Sequence, residues 1–162
     1  MGIALMTRSA LIAALYATIA YLSAPLQFAF FQFRLSEAFC VLPIFMPEAI
    51  IGLTLGCAIA NYITGAVVWD VIFGSLATLI GALLARVIGK LIKSKKLIFL
   101  ATLPTVLANA VIVPFVIRFA YGATNGYWFL FATVAVGELA TATILGALLY
   151  SVLDKRGLIG KL

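Results

Sequence analysis

Apolar residues run through this chain in six long stretches, separated by short polar or basic links. The first extends from Arg8 to Leu26 and is rich in alanine. The second is short, from Ser36 to Phe45, and carries Pro43. The third runs from Pro47 to Thr64, with Pro47 suited to a first helical turn and Glu48 to the positive end of a helix dipole. The fourth runs from Asp70 to Ile88, and the fifth from Leu97 to Phe119. Pro104 and Pro114 in the fifth are tolerable where neighbouring helices re-satisfy freed carbonyls. The sixth runs from Tyr127 to Leu153. A helix crossing a bilayer needs about 20 apolar residues, and this pattern predicts six such crossings.

Composition supports that reading. Of 162 residues, 65% are hydrophobic and 10% are charged, with a mean hydropathy of +1.24. A soluble domain carries about 25% charged residues, and no soluble core of this size hides so much apolar surface. The chain reads as an all-α membrane protein, one integral membrane domain over residues 1–162. Arg8 ahead of an apolar run resembles a signal peptide, but the run is too long for one and is read as a retained span.

Net charge is +6, and its distribution explains it without nucleic acid. With six spans, one side holds Arg8, Arg86, Lys90, Lys93, Lys95, Lys96, Lys155, Arg156 and Lys161; the other holds only Arg34 and Arg118. The positive-inside rule places both termini in the cytoplasm of a multi-pass cell-membrane protein. Trp69, Tyr127 and Trp128 then fall at the outer interface, where amphipathic rings are favoured. Cys40 and Cys57 stand without any histidine, so neither a metal site nor a cofactor is expected. No serine or cysteine neighbours an evident base, which argues against an intramembrane enzyme.

A charge near the bilayer centre costs roughly 2.5–3.5 kcal/mol, so each intramembrane polar residue needs a partner or a wet cavity. Glu138 lies ten residues inward of Trp128, roughly 15 Å deep at 1.5 Å per residue. Asn109 sits at a similar depth. Arg34, Glu37, Asn61 and Asp70 cluster nearer the outer surface, and together these residues outline a funnel closing on Glu138. Structural readings stand beside the functional ones. Glu138 can simply bond a neighbouring helix, Arg34 and Glu37 can pair with each other, and Asp70 can cap the fourth span. Asn61 and Asn109 can act as interhelical glue, and Arg118 can snorkel. On the first span, Ser9, Ala13 and Ala17, and likewise Ala10, Ala14 and Thr18, recur at four-residue spacing. That makes a smooth face for close helix approach, within this chain or with a partner.

The motif Gln32-Phe33-Arg34-Leu35-Ser36-Glu37-Ala38 resembles the first-loop signature of the QueT family. Pro47-Glu48-Ala49-Ile50, Gly56 to Asn61, Asp70 to Leu79, Asn109-Ala110 and Gly137-Glu138 follow in the order that family would have. The resemblance implies a six-helix substrate-capture subunit, the S component of an energy-coupling-factor (ECF) importer. Its partners would be a transmembrane coupling protein and two ATPase subunits, docked through Ala10, Ala13, Ala14 and Ala17 of the first span. It implies a queuosine precursor, a 7-deazaguanine base or nucleoside, as substrate. The chain has no G-x-x-x-x-G-K-[ST] loop, consistent with energy supplied by other subunits. One carboxylate can accept both donors of a guanine-like edge. Glu138, or else Glu37, is expected to do so, with Asn109 on the ring carbonyl and Gln32 and Arg34 as donors from the first loop. Asp70 would suit a cationic substituent, and Phe73 or Trp128 would stack on the base. Capture of another vitamin-like molecule and stand-alone secondary transport are the alternatives.

Overall fold

The computed structural model describes residues 2–27, 32–92 and 95–159. Lys93 and Lys161 of the basic clusters, and the side chains of Lys95 and Lys96, lie outside the described residues. Among the described residues the regular structure is helical throughout. Helix α1 (Ile3–Leu22) is followed by the one-turn α2 (Ala24–Gln27). A 3-10 segment, Leu35–Ile44, precedes α3 (Glu48–Ile63) and α4 (Val68–Leu91). A second 3-10 segment, Lys95–Thr102, leads into α5 (Leu103–Phe119). The last passage is continuous: α6 (Tyr127–Glu138), a π-helical stretch Leu139–Leu145, and α7 (Gly146–Lys155).

Four of these passages are long and apolar enough to cross a membrane: Ile3–Leu22, Val68–Leu91, Leu97–Phe119 and Tyr127–Lys155. The remaining two, Leu35–Ile44 and Glu48–Ile63, are shorter. The Leu35–Ile44 segment does not line the outside of the bundle. It threads the middle, packed by α1, α3, α4, α7, the π stretch and the second 3-10 segment. Its ten residues would rise about 15 Å as an α-helix but reach about 20 Å as a 3-10 helix.

Contacts fix the directions of the passages. Glu48 lies beside Arg8 and Ser9, and Gly52 and Gly56 abut Ile12 and Tyr16 respectively, so α1 and α3 run parallel. The Leu35–Ile44 segment makes the return between them. Asp70 meets Tyr121 while Gly81 abuts Thr105, which makes α4 and α5 antiparallel. The Phe115–Tyr127 ring contact at 4.6 Å and the Thr102–Thr143 hydrogen bond at 3.1 Å do the same for α5 and the last passage. Phe45 packs on Tyr150 at 6.3 Å. The start of α1 and the end of α7 therefore share one end of the bundle.

The interior is built from small side chains, among them Ala49, Ala60, Ala77, Ala82, Ala85, Ala101, Ala110 and Ala142, all 1% exposed or less. The exterior carries the large ones, including Leu11, Leu15, Leu55, Ile59, Leu83, Leu107, Phe115, Ile144 and Leu148. This inverts the soluble pattern. With lipid outside, association rests on close backbone approach and on interhelical hydrogen bonds. Gly52 and Gly56 form a G-x-x-x-G pair on α3 against α1: a Cβ on Gly56 would lie 2.8 Å from the Tyr16 Cβ, and one on Gly52 2.8 Å from the Ser9 carbonyl. The Ser9, Ala13 and Ala17 stripe is consumed by this contact, and all three are buried. Of the four alanines assigned to partner docking, Ala13 and Ala17 are thus taken up inside the chain, while Ala10 and Ala14 remain exposed.

Candidate functional site

At the end of the bundle opposite the start of α1 and the end of α7, six polar side chains converge: Gln27, Gln32, Arg34, Asn61, Asp70 and Tyr121. The turn into the site begins at Gln32, whose φ of 48° is uncommon for a residue with a side chain. It redirects the backbone so that Arg34 points inward. Three residues per 3-10 turn then align side chains spaced by three: Arg34, Glu37, Cys40 and Pro43 are all buried.

Arg34 does not pair with Glu37. Its Nη2 lies 3.7 Å from the Asp70 carboxylate and donates to the Asn61 Oδ1 at 3.3 Å. Asn61 in turn donates through Nδ2 to the Asp70 backbone carbonyl at 2.9 Å, tying the end of α3 to the start of α4. Tyr121, just past α5, donates its hydroxyl to Asp70 Oδ2 at 3.1 Å and accepts the Val67 N–H at 3.2 Å. Burial, and then the Asp70 carboxylate, push the Tyr121 phenol above its ordinary value, so it remains a donor. Asp70 is not a cap: Val67 occupies that position, and no side-chain cap bond forms there. Gly74 completes the arrangement, since a Cβ there would sit 2.8 Å from Asn61 Nδ2 and 3.2 Å from Asp70 Oδ1. Its missing side chain lets the Asn61 amide nest against α4.

Three buried polar atoms here have no hydrogen-bond partner: Arg34 Nη1, Asp70 Oδ1 and Gln27 Nε2. Unpaired buried polar groups are rare, and each calls for an explanation. All three residues line a cavity of about 210 Å³, together with Gln32, Val113, Ile117 and Tyr121. A larger cleft of about 570 Å³ lies between α4 and α5, lined by apolar side chains such as Trp69, Phe73, Val111 and Phe115. Size favours the cleft, but its lining is almost wholly apolar. Chemistry favours the smaller cavity.

A second tier of polar side chains is buried elsewhere in the bundle. Glu37 is 0% exposed and fully engaged: Tyr16 donates its hydroxyl to Oε1, and the Cys40 thiol donates to Oε2 at 2.7 Å. Both of its oxygens serve the chain itself. Glu138, 2% exposed at the end of α6, keeps one oxygen, Oε2, without a partner. Asn109 donates to the Thr105 carbonyl at 3.2 Å and leaves its Oδ1 unpaired. Glu138 belongs to the last passage of the chain. The 210 Å³ cavity itself does not reach it.

Two expected stacking residues stand apart. Phe73 lies on the cleft face of α4 beside Trp69, with ring centroids 6.0 Å apart, because helical phase turns it away from the Asp70–Gly74 side. Trp128 is 75% exposed at the start of α6 and packs edge-on against Tyr127 and Phe131, the placement of an interface anchor. Tyr121, Gly74, Gln27 and Tyr16 escaped the sequence reading. A signal existed only for Gly74, four residues after Asp70 and hence on its face of α4.

Comparison with known proteins gives one finding. The family model described as QueT transporter matches residues 6–155. No curated protein and no solved structure matches the chain.

Proposed function

The chain belongs to the QueT transporter family, and on that premise we propose that it is the substrate-capture subunit of an ECF-type importer, taking a queuosine precursor from outside the cell. In this reading all six passages cross the cell membrane with both termini in the cytoplasm. The start of α1 and the end of α7 share one end of the bundle with the basic residues Arg8 and Arg86, while Arg34 and Arg118 belong to the other end. That distribution supports the orientation.

The observation that carries the proposal is that Arg34 and Asp70, each with an unsatisfied atom (Nη1 and Oδ1), line one cavity together. A donor next to an acceptor complements an amide-like edge, a ring carbonyl beside a ring N–H, as in a 7-deazaguanine. Arg34 donates to the carbonyl and Asp70 accepts the N–H; Gln27 and Gln32 add donors at the mouth. Glu138 Oε2 and Asn109 Oδ1 provide further acceptors for an exocyclic amine if the ligand reaches the inner tier. Such a site rejects analogues lacking these groups, because its own polar atoms would remain unpaired. Glu37, engaged by Tyr16 and Cys40, supports the site from behind. The transmembrane coupling protein and the two ATPase subunits supply the energy, and Ala10 and Ala14 offer the coupling protein a small-residue face.

Mass spectrometry of ligand carried through purification tests the substrate class, with a 7-deazaguanine expected. Calorimetry on Glu138→Gln tests the inner tier. Replacing an acceptor oxygen by an amide is expected to weaken binding by about two- to tenfold, in line with about 0.5–1.5 kcal/mol for a hydrogen bond. Unchanged affinity would confine recognition to Arg34, Asp70 and the two glutamines.

A further inference from the structure

A 3-10 helix of ten residues is far outside the usual run of three or four, and both of its ends are held by the same neighbouring helix. At the outer end, Asp70 of α4 engages Arg34 at 3.7 Å. At the inner end, Arg86 of α4 donates Nη1 to the Ile44 carbonyl at 2.8 Å and to the Pro43 carbonyl at 3.2 Å. These are terminal carbonyls of the kind that lack partners at a helix end. The segment opens on an i→i+3 bond, Glu37 N–H to Arg34 at 2.9 Å, while at its inner end the Leu42 carbonyl accepts both the Phe45 N–H at 3.1 Å and, in i→i+4 fashion, the Met46 N–H at 2.8 Å.

The lengths explain the conformation. Asp70 and Arg86 are sixteen residues apart on α4, about 24 Å along its axis. From Arg34 to Ile44 the chain advances about 20 Å as a 3-10 helix but only about 15 Å as an α-helix. The 3-10 form leaves a gap of about 4 Å for the two arginine side chains to close, against about 9 Å for an α-helix. Gly89 permits the approach: a Cβ there would meet Ile44 Cγ2 at 2.6 Å.

We propose that Arg86 is a positioning residue for the outer site, acting through the Leu35–Ile44 segment, which α4 holds long between its two clamps. Arg86 touches nothing in the cavity. Its grip on Pro43 and Ile44 sets how far the segment extends, and hence where Arg34 sits against Asp70. The inference does not depend on which solute the site takes, because the segment's length is a property of the chain alone.

The test is a distance measurement on the full-length protein in lipid nanodiscs. Spin labels are placed at Leu35 and Phe45 in a Cys40→Ser, Cys57→Ala background, and the interval is read by pulsed electron paramagnetic resonance. Arg86→Gln is expected to shorten the interval by about 3–4 Å, since eight residues ahead of Pro43 lose about 0.5 Å each on passing from 3-10 to α geometry. Arg86→Lys, which keeps a charged donor, is expected to restore most of the length. Should Arg86→Gln not yield folded protein, Asp70→Asn releases the opposite clamp and is expected to give the same shortening. An unchanged interval in a folded clamp variant would overturn the proposal, as would equal shortening in the glutamine and lysine variants.

Discussion

Arg34→Met is expected to abolish solute binding and to cost about 3–5 kcal/mol of stability, the range for removing one partner of a buried ion pair. The loss arises mainly on the other side of the pair. Arg34 and Asp70 side chains are 6% and 7% exposed. Without the guanidinium, the Asp70 carboxylate keeps only the Tyr121 hydroxyl as a side-chain partner. A double variant, Arg34→Met with Asp70→Leu, separates the two effects. Replacing a buried pair by apolar residues of similar volume is often neutral or stabilising, so the double variant is expected to unfold near the parent midpoint while still failing to bind. Thermal unfolding and calorimetry, run on the same preparations, read the two quantities independently. Should the single variant bind normally, the pair would be a structural tie and nothing more.

The second large effect is expected at the α1–α3 seam. Gly56→Leu places a branched side chain where a single Cβ already lies 2.8 Å from the Tyr16 Cβ and 3.0 Å from the Ala13 carbonyl. Neither is the end of a flexible chain, so the two helices must separate. Parting them pulls Tyr16 from Glu37 and Ser9 from Glu48, contacts that hold the Leu35–Ile44 segment and the start of α3. Loss of most monodisperse protein in size-exclusion chromatography is the expected outcome. Gly56→Ala is expected to be milder, with a partial loss in yield and a lowered unfolding midpoint. Equal yields for Gly56→Leu and the parent would show that α1 does not rely on this approach.

Much of the site was legible because lipid makes polar residues conspicuous. Arg34, Asn61, Asp70, Asn109 and Glu138 each interrupt an apolar run, and each is buried. Their partners were less legible. Arg34 and Glu37, three apart, suggest a local pair, but only tertiary packing reveals that Asp70 takes the guanidinium while Tyr16 and Cys40 take Glu37. A tyrosine at an outer turn looks like an ordinary interface residue, so nothing in the sequence marks Tyr121. Phe73 and Asp70 are close in sequence, yet helical phase sends one to the apolar cleft and the other to the polar cavity. The alanine stripe of α1 was visible from its spacing, but its occupant was not: the matching glycines Gly52 and Gly56 sit on α3 of the same chain. The 3-10 form of Leu35–Ile44 was beyond reach, since a short run that is apolar on every side carries no period to read.

The π-helical stretch after Glu138 gives the last passage a slack that the others lack. Over the twelve residues from Glu138 to Tyr150, a uniform α-helix would rotate the second residue about 120° away from the first. The wider turn through Leu139–Leu145 absorbs that rotation, and both side chains face inward. In effect the passage stores one surplus residue. Losing one there would let the helix tighten to plain α geometry with Tyr150 still beneath Glu138. The same loss between Asp70 and Arg86 on α4 would swing a clamp about 100° out of line. The phase of the bundle is thus set rigidly along α4 and loosely along the passage that carries Glu138.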